Sequence, residues 1–197
     1  LRLYPEFSLE STQVPLEKVT KEVGQSDEEI LSLAQEAITL LYPGPEELSD
    51  RLPSPPLYDE DILIFTDYRE ASDCAGCPSF PLLPADAIEK SILHLYGPSA
   101  SGQINPDRLH SYTFSRLKQF LAAPPGTDTE MEALIAEADW LIFAMLDLDT
   151  DHYPDSDALK EFLRLRPDSL RGKKVVVIAY NAPYLLDTTE VSKLTAY

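Results

Sequence analysis

Glycine is scarce in this sequence, with 7 among 197 residues. None follows directly on the apolar runs that read as strands, and neither GxGxxG nor GxxxxGK[ST] occurs. A phosphate cradle needs such glycines to bring backbone N–H groups against the anion, so no nucleotide cofactor, and no other, is expected. Basic residues are few as well. The 16 Lys and Arg stand against 34 Asp and Glu, a net charge of −18. Nucleic acids and anionic membrane surfaces are bound by replacing counterions with Lys and Arg, so neither is an expected partner. Nothing approaches the ~18–20 consecutive apolar residues of a membrane span. Leu1-Arg2-Leu3-Tyr4 offers neither an initiator Met nor a charged start followed by an apolar core. The chain is therefore expected to be a fragment, and the compartment of its parent stays open.

Nucleophile and metal signatures are thin. No Gly-x-Ser-x-Gly elbow appears. The 3 histidines, His94, His110 and His152, stand apart from one another. The 2 cysteines, Cys74 and Cys77, cannot make a disulfide framework, and with no further Cys they lack the remaining ligands of a structural zinc site. Cys74-Ala75-Gly76-Cys77 does have the spacing of a thiol oxidoreductase. That chemistry places the first Cys at a helix N-terminus, where the dipole favours the thiolate. Here Pro78, Pro81 and Pro84 follow, which no helix runs through, and the preceding Thr66–Asp73 stretch is acidic. A loop pair, reduced or locally disulfide-bonded, is the simpler reading. Asp147-Leu148-Asp149-Thr150-Asp151 alternates acids as a calcium loop does. The sixth and twelfth positions hold His152 and Ala158 in place of Gly and Glu, so a solvated loop is expected and no metal is assigned. Paired carboxylates can cleave glycosides, but among 34 acids pairs arise by chance.

What is present is a clear alternation of helices and short apolar strands. Residues 1–25 form a lead-in, with a short helix starting at Pro15. Ser26 and Glu29 make a capping box before an apolar stripe of Ile30, Leu33, Ala34, Ala37 and Leu41. Ala37–Tyr42 either finishes that helix or leaves it as a strand. Pro43–Pro56 reads as a linker-like loop with no helix in it. Ile62–Phe65, Trp140–Leu146 and Val175–Tyr180 are continuously apolar, as strands buried on both faces of a parallel sheet are. Helices are expected from near Ala85, over 112–122, from Thr127 or Asp128, and over Ala158–Leu165. Thr188–Tyr197 reads as a helix that starts and never completes. The fold class is therefore α/β, with an open, mostly parallel, doubly wound sheet similar to flavodoxin and Rossmann architectures.

Open α/β sheets bind ligands beyond the carboxyl ends of their strands. Those ends carry Thr66-Asp67-Tyr68-Arg69, Asp147-Leu148-Asp149 and Asn181-Ala182-Pro183-Tyr184. Asp67, Arg69, Asn181 and Tyr184 are the candidate groups for gripping a sugar or a neighbouring domain. The alternative for each is to cap a turn.

Two segments carry a family resemblance. Lys173–Asp187 (KKVVVIAYNAPYLLD), continued by Thr188–Tyr197, and Ala34–Leu41 (AQEAITLL) before a Pro-rich stretch resemble the second domain of bacterial family 3 glycoside hydrolases of the β-N-acetylglucosaminidase type. The resemblance implies an accessory domain of a retaining exo-glycosidase that acts on terminal β-linked sugars, N-acetylglucosamine among them. It implies a catalytic barrel of the same polypeptide as partner. Residues 1–25 would then lead in from that barrel, and 26–197 would be the accessory domain, incomplete at its C-terminus. The family's nucleophile and acid/base lie on the barrel, so no catalytic residue is carried over to this chain. A stand-alone carbohydrate or small-molecule binding module and a CxxC thiol oxidoreductase are the alternatives.

Overall fold

The computed structural model describes residues 27–52, 54–181 and 184–197. The lead-in over 1–25, the helix start at Pro15 and the Ser26 cap lie outside them. The described chain divides after Thr39 into two units. The first carries α1 (Asp27–Ala37), on which Ile30 and Leu33 are exposed. Ala37 ends the helix, and Ile38–Leu41 is irregular rather than a strand.

The second unit opens with α2 (Pro45–Arg51). This corrects the reading of 43–56 as loop throughout. Pro45 sits in the first turn, where its missing N–H costs nothing, and Glu46 and Glu47 meet the positive end of the helix dipole. The six residues 46–51 that follow hold no proline. Next come β1 (Ile62–Thr66), a small hairpin of β2 (Glu70–Ala71) and β3 (Phe80–Pro81), and α3 (Ala87–Tyr96). β4 (Leu109–Thr113) leads directly into α4 (Phe114–Ala122), and α5 (Thr129–Glu137) precedes β5 (Trp140–Met145). The chain closes with α6 (Ala158–Leu165), β6 (Lys174–Ala179) and α7 (Thr188–Val191).

Strands β4, β1, β5 and β6 form a 4-stranded sheet in that order, parallel throughout. The fold is α/β with an open, doubly wound sheet. From β1 the chain crosses to β4 by way of α3 on one face. It returns over β1 to β5 by way of α4 and α5 on the other face, where α6 also packs. Every residue of β1 and β5 is buried, which their unalternating apolar sequence demands. Leu63, Phe65, Leu141, Phe143, Met145, Val175 and Val177 point to the helices α4, α5 and α6. Phe143 stacks on Phe65 with centroids 5.5 Å apart and meets Phe162 of α6 at 5.6 Å. Ile62, Ile64, Trp140, Ile142 and Ala144 face α3.

β4 was not legible as a strand, and the helix expected over 112–122 begins at Phe114. Its sequence Leu-His-Ser-Tyr-Thr lacks an apolar run because it is an edge strand, half-buried beyond Leu109. The helix start falls at Phe114 because the Thr113 hydroxyl accepts the Arg116 N–H at 3.3 Å. The opposite edge, at β6, is covered. An Asp187–Glu190 capping box starts α7, but the helix stops at Val191, and the chain turns back alongside β6. There the Val177 N–H donates to the Ala196 carbonyl at 3.0 Å, and the Tyr197 carbonyl accepts from Leu41 and Tyr42. The helix expected to start at Thr188 and not complete runs for one turn and gives way to an extended segment whose Leu194, Ala196 and Tyr197 are buried. No helix among the described residues is long and apolar enough to cross a membrane.

At the amino edge of the sheet, Glu60 joins three elements. It accepts from Trp140 Nε1 at 2.8 Å, Lys174 Nζ at 2.5 Å and the Leu57 N–H at 2.8 Å. Burial favours the neutral acid, but these hydrogen bonds outweigh it and hold the carboxyl below its ordinary 4.5. The stabilisation is therefore complete above pH 4.5 and is lost as pH falls through the lower folded value. Urea melts across this range should show the wild type losing stability more steeply than Glu60→Gln. Parallel losses would contradict the assignment. Phe143→Ala should cost about 3–5 kcal/mol by the same method, whereas Leu95→Ala, on the exposed side of α3, should stay within about 0.5 kcal/mol.

Candidate functional site

The strand order places the topological switch point between β1 and β5, since the chain leaves β1 toward one edge and returns to β5 on the other side. This is where an open α/β sheet forms its ligand crevice. Two of the four sequence-predicted residues meet here. The Asp67 N–H continues the ladder by donating to the Ala144 carbonyl at 2.8 Å, and its carboxylate accepts the Leu146 N–H at 3.2 Å. Arg69 binds that carboxylate in a two-pronged contact, Nε to Oδ1 at 2.9 Å and Nη2 to Oδ2 at 2.7 Å. Its other edge reaches β5's end, with Nη1 donating to Asp147 Oδ1 at 2.6 Å and Nη2 to the Asp147 carbonyl at 2.9 Å. The Tyr153 ring covers the guanidinium at 4.2 Å. Asp67 and Arg69 are 2% and 5% exposed, so the crevice is filled by the protein's own charges. Burial works against the charged Arg69, and the hydrogen bonds to Asp67 and Asp147 override it, so its pKa is raised.

Sequence reading missed the partners rather than the place. Asp147 stood out as a strand-end acid, but nothing in the sequence pairs it with Arg69 across 78 positions. Tyr153 gave no signal. Its position follows from the fold of the 147–157 loop. The Ser156 hydroxyl, fully buried, accepts the Asp149 N–H at 3.1 Å, and the Tyr153 N–H donates to the Asp149 carbonyl at 2.8 Å. Asp149 is engaged by His152, and that hydrogen bond lowers its pKa. Asp147 and Asp149 therefore point to different partners. No cluster of three or more His, Cys, Asp or Glu suited to a metal occurs among the described residues.

Asn181 and Tyr184 lie beyond the carboxyl end of β6. Both are exposed, Tyr184 at 88%, and no contact between them and Arg69 occurs among the described residues. The four predicted residues thus separate into a buried pair and an exposed pair.

Cys74 and Cys77 form a disulfide in the loop between β2 and β3. The next helix starts at Ala87, so no helix dipole acts on Cys74. A groove of about 630 Å³ lies between α6 and α7. Its charges are largely matched from within. Lys160 pairs with Glu190 at 3.0 Å, Asp157 and Glu161 hold Lys118, and Lys193 donates to the Leu163 carbonyl at 2.9 Å. No protein family, curated protein or solved structure matches the chain.

Removing Asp67 strips the buried Arg69 guanidinium of its two-pronged partner and leaves Asp147 as the remaining counter-charge. Asp67→Ala should destabilise by about 3–5 kcal/mol in urea unfolding, while Asp67→Leu combined with Arg69→Met should recover most of that loss. A double variant as unstable as Asp67→Ala would show that the charges themselves are needed.

Proposed function

We propose that this chain is the non-catalytic α/β domain of a retaining, exo-acting family 3 glycoside hydrolase, and that the whole enzyme removes terminal β-linked N-acetylglucosamine. The resemblance of Ala34–Leu41 and Lys173–Tyr197 to that family supports the reading, as does the doubly wound sheet. The observation that carries the absence of chemistry is Arg69. It fills the crevice where such a sheet would hold a substrate, and Asp67 and Asp147 are engaged by it. Neither carboxylate is free to act as nucleophile or acid. Hydrolysis with retention needs two carboxyl groups flanking the scissile bond, one to form the glycosyl-enzyme and one to protonate the leaving group. In this reading both belong to a barrel of the same polypeptide. The chain supplies a rigid wall, and Asn181 and Tyr184 are the exposed groups beyond β6 that would meet the barrel or its sugar.

A stand-alone sugar-binding module is the second reading. It is favoured by the groove between α6 and α7, where Thr150 and Thr189 bring hydroxyls among the charged groups.

Incubating the chain and its full-length polypeptide with a chromogenic β-N-acetylglucosaminide and a β-glucoside separates these readings, together with calorimetric titration of N-acetylglucosamine into the chain alone. The accessory-domain reading predicts turnover of the glucosaminide by the full-length protein and neither turnover nor heat from the chain. Turnover by the chain alone overturns it. Binding by the chain tighter than about 1 mM, with a full-length protein that is inert, favours the second reading.

A further inference from the structure

The hairpin that follows β1 is secured at its root and at its tip, with little between. At the root, the Arg69 side chain is locked in the switch point and its carbonyl accepts the Leu82 N–H at 2.8 Å. The ladder consists of two residue pairs, Glu70 with Pro81 and Ala71 with Phe80. Pro81 has no N–H to give, so the first pair is short of a donor. The Glu70 carboxylate adds bonds from Ser79 Oγ at 2.9 Å and Tyr68 Oη at 2.6 Å, both exposed.

Beyond that ladder, residues 72–79 include no buried residue. Gly76, at φ +88°, makes the tight turn that lets the Cys77 N–H reach the Cys74 carbonyl at 3.1 Å. The covalent tie in this stretch is the Cys74–Cys77 disulfide, with Cys74 exposed and Cys77 half-buried. Both sulfurs' residues are thus within reach of a reductant, and the tip they close lies outside the packed cores.

We propose that Cys74–Cys77 is a reversible thiol–disulfide site, reduced by a small-molecule dithiol, whose redox state sets the order of the hairpin tip and leaves the sheet untouched. One thiolate of the dithiol attacks the exposed Cys74 sulfur. The Cys74–Cys77 bond breaks, and the Cys77 thiolate takes a proton from water. The second thiolate of the dithiol then attacks its own partner sulfur in the mixed disulfide and releases Cys74, which is protonated in turn. Two electrons and two protons pass to the protein, and the dithiol is oxidised to a cyclic disulfide. The oxidised form holds exposed Phe80 in a fixed place next to the root. The reduced form frees the tip while Arg69 keeps the root.

The test is amide hydrogen exchange on the full chain, oxidised and after dithiothreitol, with thiols counted by a chromogenic reagent in both states. The oxidised chain should show no reactive thiol and the reduced chain two. Exchange over 70–81 should rise about twenty-fold on reduction, the chain-entropy expectation for so short a loop, while amides of β1 and β5 keep their protection. Cys74→Ser with Cys77→Ser should show the fast pattern whether or not reductant is present. Reactive thiols before reduction, unchanged exchange over 70–81, or protection lost across β1 and β5 as well would each overturn the proposal.

Discussion

Arg69 brings a positive charge into the one crevice that an open α/β sheet leaves at its carboxyl edge, and the surrounding loops are arranged around it. Asp67 grips two of its nitrogens, Asp147 takes the far edge by side chain and carbonyl, and Tyr153 closes over the face. A buried ion pair of this kind is costly to desolvate and adds little net stability beside an apolar replacement. What it provides here is position. One guanidinium fixes the ends of β1 and β5, the start of the β2–β3 hairpin and the loop that leads into α6. Each nitrogen of the fork has a partner, so displacement in any direction would leave a buried charge unsatisfied.

That constraint shapes the functional reading. A sheet that binds a small ligand at its switch point keeps the crevice open and lines it with backbone N–H groups or a few convergent polar side chains. In this chain the same groups are spent on each other. Exposed groups at the carboxyl edge include Leu148, Tyr180, Asn181, Tyr184 and the hairpin with Tyr68, Phe80 and Leu82. Such a surface suits contact with a neighbouring domain better than chemistry on a bound substrate, in keeping with the role proposed for the chain within a glycoside hydrolase.

The parts of the fold that rest on local pattern were legible in the sequence. β1, β5 and β6 announce themselves as apolar runs because both of their faces are covered, and α5 because the Asp128 cap precedes its buried Met131 and Ile135. β4 escaped because an edge strand needs no such run, and α2 because Pro45 sits in its first turn, where proline does not break a helix. At the site, the strand-end location of Asp67 and Arg69 followed from topology. Their burial did not, because it depends on Asp147 and Tyr153, which lie close only once β1 and β5 are paired and Ser156 has folded the intervening loop. Asn181 and Tyr184 carry the same strand-end signal as Arg69, yet β6 lies one strand away from the switch point. Sequence pattern does not distinguish these two positions, and strand order does.

The contacts at the switch point immobilise the Arg69 guanidinium in the crevice. Proton-detected nitrogen NMR of the arginine side chains tests it directly. Arg69 Nε–H, identified by its absence in Arg69→Met, should exchange slowly with water, its Nη protons should resolve as separate signals because rotation is blocked, and none of them should shift when N-acetylglucosamine is added. A fast-exchanging, rotationally averaged guanidinium, or one that moves on sugar addition, would mean that the crevice is open and that the sheet itself binds the ligand.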